Sequence, residues 1–165
     1  MTPARRERKQ NRALPARAAL ALALATFAPP AIAGLTQRIV VDWHSGLAID
    51  GYDPVAFFAD GKAEVGSGDF ELRYAGAIWR FSNIGNRAAF AQRPDVYMPQ
   101  YGGYDPIGVA RGVAVPGNPR IWSITGDRLF LFYDSAQREK FVSNPARFIA
   151  ASERRWPDVV QTLDP

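Results

Sequence analysis

The chain of 165 residues has no cysteine, one histidine and two methionines, one of them Met1. Without thiols it has no disulfide staple, no thiolate metal site and no thiol nucleophile. A single histidine, His44, does not make a His-rich metal centre, and Ser45 beside it stands in no nucleophile-elbow pattern. Gly102-Gly103 lacks the spacing of a phosphate-cradling loop. The longest apolar run, Ala18 to Phe27, falls well short of the ~20 residues that a membrane-spanning helix needs. These absences remove most catalytic constellations and point to a protein that is not an enzyme. The one enzymatic option left open is acid–base work by a carboxylate such as Asp105.

That short apolar run does have a function in view. Arg5, Arg6, Arg8, Lys9, Arg12 and Arg17 precede it, Pro29 and Pro30 follow it, and Ala31-Ile32-Ala33 forms a small-x-small ending. A basic region, an apolar core and a small-residue cleavage site are the three parts of a secretory signal. A buried N-terminal helix would be two-faced, whereas this run is apolar all round. Arg5-Arg6 also opens a twin-arginine route, although no apolar pair follows it. The expected organisation is therefore a signal peptide over 1–33, an N-terminal segment over 34–47, one domain over 48–157 and a tail over 158–165, in a periplasmic or secreted protein.

Removing the signal reverses the charge balance. The whole chain holds 20 Lys+Arg and 16 Asp+Glu. Six and one of these lie in 1–33, so 14 and 15 remain and the net charge falls from +4 to −1. The pI of 9.7 belongs to the leader. A nucleic-acid binder needs a basic face, and this one leaves with the signal, so no nucleic-acid partner is expected. No transmembrane span is expected in the mature chain. Its 132 residues are enough to bury a core without staples.

The mature chain repeats itself. Gly51-Tyr52-Asp53-Pro54 recurs as Gly103-Tyr104-Asp105-Pro106, 52 residues on. Each copy is followed by two extended runs around a glycine: Phe70 to Tyr74 and Ala77 to Phe81 flank Ala75-Gly76, and Ile121 to Thr125 and Arg128 to Phe132 flank Gly126-Asp127. Aromatic and β-branched residues alternating around a glycine predict a hairpin in each copy. A helix is predicted after each, capped by Ser82 or Asn83 and stopped at Pro94 in the first copy, and capped by Asp134 with Gln137 in the second. Asn144-Pro145 then opens a further short helix through Ala151. The predicted fold is α+β: a small antiparallel sheet from two hairpins, each followed by a helix, open to a pseudo-twofold duplication. Trp79, Phe81, Phe90, Tyr97, Trp122, Leu129, Leu131, Phe141, Phe148 and Trp156 are the predicted core.

Ala48 to Phe58, Trp79-Arg80-Phe81-Ser82, Asn86-Arg87, Gln100-Tyr101-Gly102-Gly103-Tyr104, Gly126-Asp127, Leu129 and Trp156-Pro157 appear in an order that resembles the YHS domain family, specifically its exported stand-alone members. The resemblance covers about residues 48 to 157. It implies a domain often found beside copper- and heavy-metal-handling proteins and suspected of binding metal. In that exported group the central loop typically reads Gly-Gly-Tyr-Cys-Ala, whereas this chain has Gly102-Gly103-Tyr104-Asp105-Pro106. A hard carboxylate stands where a soft thiolate would favour copper or zinc.

The candidate ligand-binding residues are Tyr52, Asp53, Tyr101, Gly103, Tyr104 and Asp105, with a divalent metal held by Asp53, Asp105 and His44 as one version of the site. Two facing carboxylates suit a cation. The competing reading is that each Asp before Pro makes a turn by bonding its own backbone. Expected partners are a small ligand or metal ion in a cleft between the two Gly-Tyr-Asp-Pro segments, or a protein of the cell envelope docking on the long loop with no metal role.

Overall fold

The computed structural model describes residues 39–163. The expected signal peptide over 1–33 and the junction after it lie outside the described residues, as do the last two positions.

Two hairpins form where the alternation places them. Strands β1 (Ser67–Tyr74) and β2 (Ala77–Phe81) pair antiparallel, as do β3 (Asn118–Thr125) and β4 (Arg128–Phe132). Both turns place two residues at positive φ, Ala75 and Gly76 at 50° and 80°, Gly126 and Asp127 at 57° and 55°. That backbone twist matches the twist of the flanking strands. The hairpins are separate two-stranded sheets rather than one. They are joined by side-chain packing, because Leu129 and Leu131 of β4 enter the same core as Trp79 and Phe81 of β2. The α+β class holds, with hairpins followed by helices.

Helices α1 (Ala56–Ala59), α2 (Ile84–Gln92), α3 (Pro94–Tyr97), α4 (Pro106–Ala110), α5 (Ser135–Ser143) and α6 (Pro145–Gln161) complete the described chain. Asn83 caps α2 by accepting the Asn86 amide at 2.8 Å, and Asp134 caps α5 by accepting the Gln137 amide at 2.8 Å. Asp134→Ala is expected to lower the unfolding free energy by about 1 kcal/mol; an unchanged urea midpoint at constant slope would contradict the cap. Pro94 both ends α2 and opens α3, since a ring that cannot continue one helix fits the first position of the next. Helix α6 runs ten residues past its expected end at Ala151, carrying Phe148, Ile149 and Trp156 against the core. It passes through Pro157, which leaves the Glu153 carbonyl without its usual helical donor.

Strand β4 divides the interior. Leu129 and Leu131 face a cluster with Ile49, Phe57, Trp79, Phe81 and Phe90, while Phe130 and Phe132 face Tyr101, Ile107, Val109 and Phe141. All four are fully buried, as expected for a continuous apolar run inside a domain. Of the predicted core, Trp79, Phe81, Phe90, Leu129, Leu131 and Phe141 are fully buried. Tyr97, Trp122, Phe148 and Trp156 are half-buried at its edge.

The two copies share hydrogen bonds as well as sequence. The amides of Gly66 and Gly117 donate to the carbonyls of Gly51 and Gly103 at 2.9 and 3.0 Å. The Arg87 and Arg138 Nε atoms donate to the carbonyls of Glu71 and Trp122 at 2.7 and 2.8 Å. Each hairpin breaks register at the same place, between Ser67 and Glu71 and between Asn118 and Trp122.

Candidate functional site

Each repeated motif opens on a left-handed turn. Ile49, Asp50 and Gly51 take φ of 43°, 54° and 77°; Tyr101, Gly102 and Gly103 take 54°, 63° and 94°. Ile49 is β-branched and fully buried, so its conformation is strained and held by packing. In the first copy this turn leaves Asp50 exposed beside Tyr52.

Asp53 and Asp105 sit in two separate turns. The Val55 and Ala56 amides donate to Asp53 Oδ1 at 2.8 and 3.4 Å, and the Ser82 amide, Ser82 Oγ and Asn86 Nδ2 donate to Oδ2 at 2.8, 2.8 and 2.7 Å. The Ile107 and Gly108 amides donate to Asp105 Oδ1 at 2.7 and 3.3 Å, and the Tyr133 amide donates to Oδ2 at 2.9 Å. Exposure of these residues is 0% and 1%. Each carboxylate thus ties the start of its copy to the end of that copy's second strand, at equivalent positions. The arrangement is the turn-making reading of Asp-Pro, extended by one long-range clamp in each copy.

The remaining candidates disperse. Tyr101 packs on Trp156 and Phe130, with ring centroids 5.6 and 6.2 Å apart, and Tyr104 lies 6.1 Å from Trp156. Burial pushes the Tyr101 hydroxyl above its ordinary pKa. Gly103 is buried, and a Cβ there would meet Ile49 Cγ2 at 3.3 Å. His44 is exposed, its ring 3.3 Å from that of Trp43. Asp42 holds the local turn by accepting from the Ser45 hydroxyl and amide at 2.7 and 2.8 Å and from the His44 amide at 3.2 Å. Those bonds, the Ser45 hydroxyl first, lower the Asp42 pKa. Among the described residues no three His, Asp or Glu side chains gather as a metal-holding group.

Two candidates line cavities, Tyr101 and Tyr52, and the Tyr52 cavity draws on both copies. The Tyr52 hydroxyl accepts a hydrogen bond from Arg120 Nε at 2.6 Å, across 68 residues of sequence. Together they line an open groove of about 610 Å³ with Asp50 and Val65 of the first copy and Asn118 and Tyr133 of the second. The bond to Tyr52 raises the Arg120 pKa further, so the guanidinium stays cationic. Asp50, Arg120 and Tyr133 carry no sign of this role in their sequence neighbourhoods. A second cavity of about 230 Å³ is lined by Met98, Gln100 and Tyr101, and a third of about 630 Å³ by Trp122 and its neighbours.

No family model, no curated protein and no solved structure matches this chain.

Proposed function

We propose that this protein is an exported, non-enzymatic binding domain, similar to YHS domains, that takes a small polar ligand in the groove between its two copies. The hydrogen bond from Arg120 Nε to Tyr52 Oη carries the reading, because it fixes a cation and a phenol side by side in the lining of a groove that draws on both copies. A fixed guanidinium offers its remaining N–H donors in a set direction. Asp50 on the same wall adds an acceptor, so a ligand with both donor and acceptor groups is complementary. Asp53 and Asp105 serve this site from behind, by holding the turns that present it. A metal version needs donors other than those two, since their oxygens accept amide protons.

Export follows from the first 33 residues, and cleavage after Ala33 leaves Gly34 as the new N-terminus; the intact mass of the secreted form checks it. Binding is tested by thermal shift of the mature protein against a set of small polar compounds, with copper, zinc and calcium titrated in parallel. A ligand at about a hundred times its Kd adds about 2.7 kcal/mol of stability, a rise of several degrees. Tyr52→Phe should weaken that ligand several-fold while leaving the unliganded melting temperature within a degree or two. A library without a hit, or a hit indifferent to both Tyr52→Phe and Arg120→Gln, overturns the proposal. Metal binding that a folded Asp53→Asn variant loses would restore the cation reading.

A further inference from the structure

The third cavity, of about 630 Å³, shares only Arg120 with the groove at Tyr52. Its walls are Phe57 and Trp122, whose rings meet edge to face at 5.2 Å, with Arg120, Arg138, Ser123 and Ser135 around them. It is lined by two guanidinium groups and no carboxylate. Neither arginine forms an ion pair among the described residues, in contrast to Arg80, Arg93 and Arg128. Both are anchored through Nε, Arg120 to the Tyr52 hydroxyl and Arg138 to the Trp122 carbonyl, an attachment that leaves the outer nitrogens of each fork to other acceptors.

The internal repeat supplies a control for this charge pattern. At a shift of 51, Arg120, Trp122 and Arg138 correspond to Asp69, Glu71 and Arg87. The backbone scaffold is the same in both copies: Arg87 and Arg138 bond equivalent carbonyls, and Glu71 and Trp122 hold equivalent positions beside the register break. In the first copy Glu71 pairs with Arg80 Nε at 2.9 Å, and Asp69 accepts from the Ser67 hydroxyl at 3.2 Å. In the second, Arg80 is replaced by the buried Leu131, and the two acids become an arginine and an aromatic ring. Three corresponding positions thus pass from a charge of −1 to +2 on one scaffold. Packing accounts for Trp122, whose ring meets the buried Phe57, but not for the exposed Arg120 in place of Asp69.

We infer that this third cavity binds a small aromatic anion, its ring against the half-buried Trp122 and its carboxylate or phosphate between Arg120 and Arg138. Forked guanidinium donors match both oxyanions, and a cavity of this volume has the size of a small-molecule site. Two unpaired cations raise the local potential and draw anions in.

The experiment uses the mature protein and four probes: phenyl phosphate, benzoate, inorganic phosphate and the neutral benzyl alcohol, followed through the Trp122 indole resonance, assigned with Trp122→Phe. One of the two aromatic anions should shift that resonance saturably, and the preferred one identifies the head group. Inorganic phosphate should bind at least tenfold more weakly, and benzyl alcohol should not saturate. Arg138→Gln should weaken the preferred probe by about tenfold, the weight of one hydrogen bond to a charged group. Tyr133→Phe alters the lining of the Tyr52 groove alone, so it should leave this probe unchanged; failure of the Tyr52 groove and failure of this one are thereby told apart. If Arg138→Gln does not fold, Arg138→Lys, which keeps the charge but loses the fork, should still weaken the probe several-fold. No saturable shift with either aromatic anion, or equal binding of benzyl alcohol, overturns the inference.

Discussion

Replacing Asp53 with alanine is expected to lower the stability of the folded domain by about 3–5 kcal/mol, the cost of leaving two or three buried donors unmet at about 1–3 kcal/mol each. The donors are the Val55 and Ala56 amides, which are buried, and the half-buried Ser82 amide, Ser82 hydroxyl and Asn86 side chain, five in all on this one carboxylate. Because small domains are stable by only about 5–15 kcal/mol, such a loss leaves the domain close to unfolding at room temperature. Asp105→Ala should follow in the same direction by a smaller amount, since three amides rather than five donor contacts depend on it. Asp53→Asn keeps one oxygen as an acceptor and should fall between wild type and alanine. Urea denaturation ranks the four proteins. A midpoint that Asp53→Ala leaves unchanged would contradict the clamp and return Asp53 to the list of dispensable, ligand-facing carboxylates.

A second large effect is expected at two glycines that no turn propensity explains. Neither Gly66 nor Gly117 has a positive φ. A Cβ on Gly66 would lie 2.5 Å from the Arg80 carbonyl carbon and 2.6 Å from the Phe81 nitrogen. On Gly117 it would lie 2.7 Å from the Gly103 carbonyl oxygen and 2.7 Å from Leu131 Cβ. These neighbours are backbone or strand atoms and cannot swing aside. Gly66→Ala and Gly117→Ala should each cost about 3 kcal/mol, the upper part of the range for overpacking. Gly68→Ala is the internal control: its nearest neighbour is the flexible end of Arg80 at 3.6 Å, so its effect should stay within about 0.5 kcal/mol. Equal stability of Gly66→Ala and Gly68→Ala would show that the strand gives way.

The elements with local signals were legible from the chain alone. A glycine between alternating runs placed both hairpins within three residues of their observed ends. Asp134 with Gln137 and Asn144 with Pro145 marked helix starts, because a cap bonds an amide two or three residues away. The end of α6 was not legible. A short helix through Ala151 was expected, but packing of Trp156 and burial of Val159 extend it to Gln161.

The candidate site was legible only in part, for the same reason. Tyr52 stood out through its repeated motif, but its partner lies 68 residues away, and no spacing rule links a tyrosine to an arginine at that distance. Tyr101 and Tyr104 stood out equally, and the long helix α6 brings Trp156 onto both, while Tyr101 also lines the smaller cavity. The duplicated Asp was recognisable as either a site or a turn. Only the tertiary fold decided between them, by delivering the Ser82 and Tyr133 amides to the carboxylates from the ends of β2 and β4.

By itself, then, the sequence determined what depends on neighbours within a few residues: the two hairpins, the caps, the repeat, the positive charge gathered in residues 1–33 and the absence of thiol chemistry. The tertiary structure decided which repeated residues face a cavity and which are clamped inside. That choice depends on contacts between segments far apart in the chain, and those contacts exist only once the two copies have packed around β4.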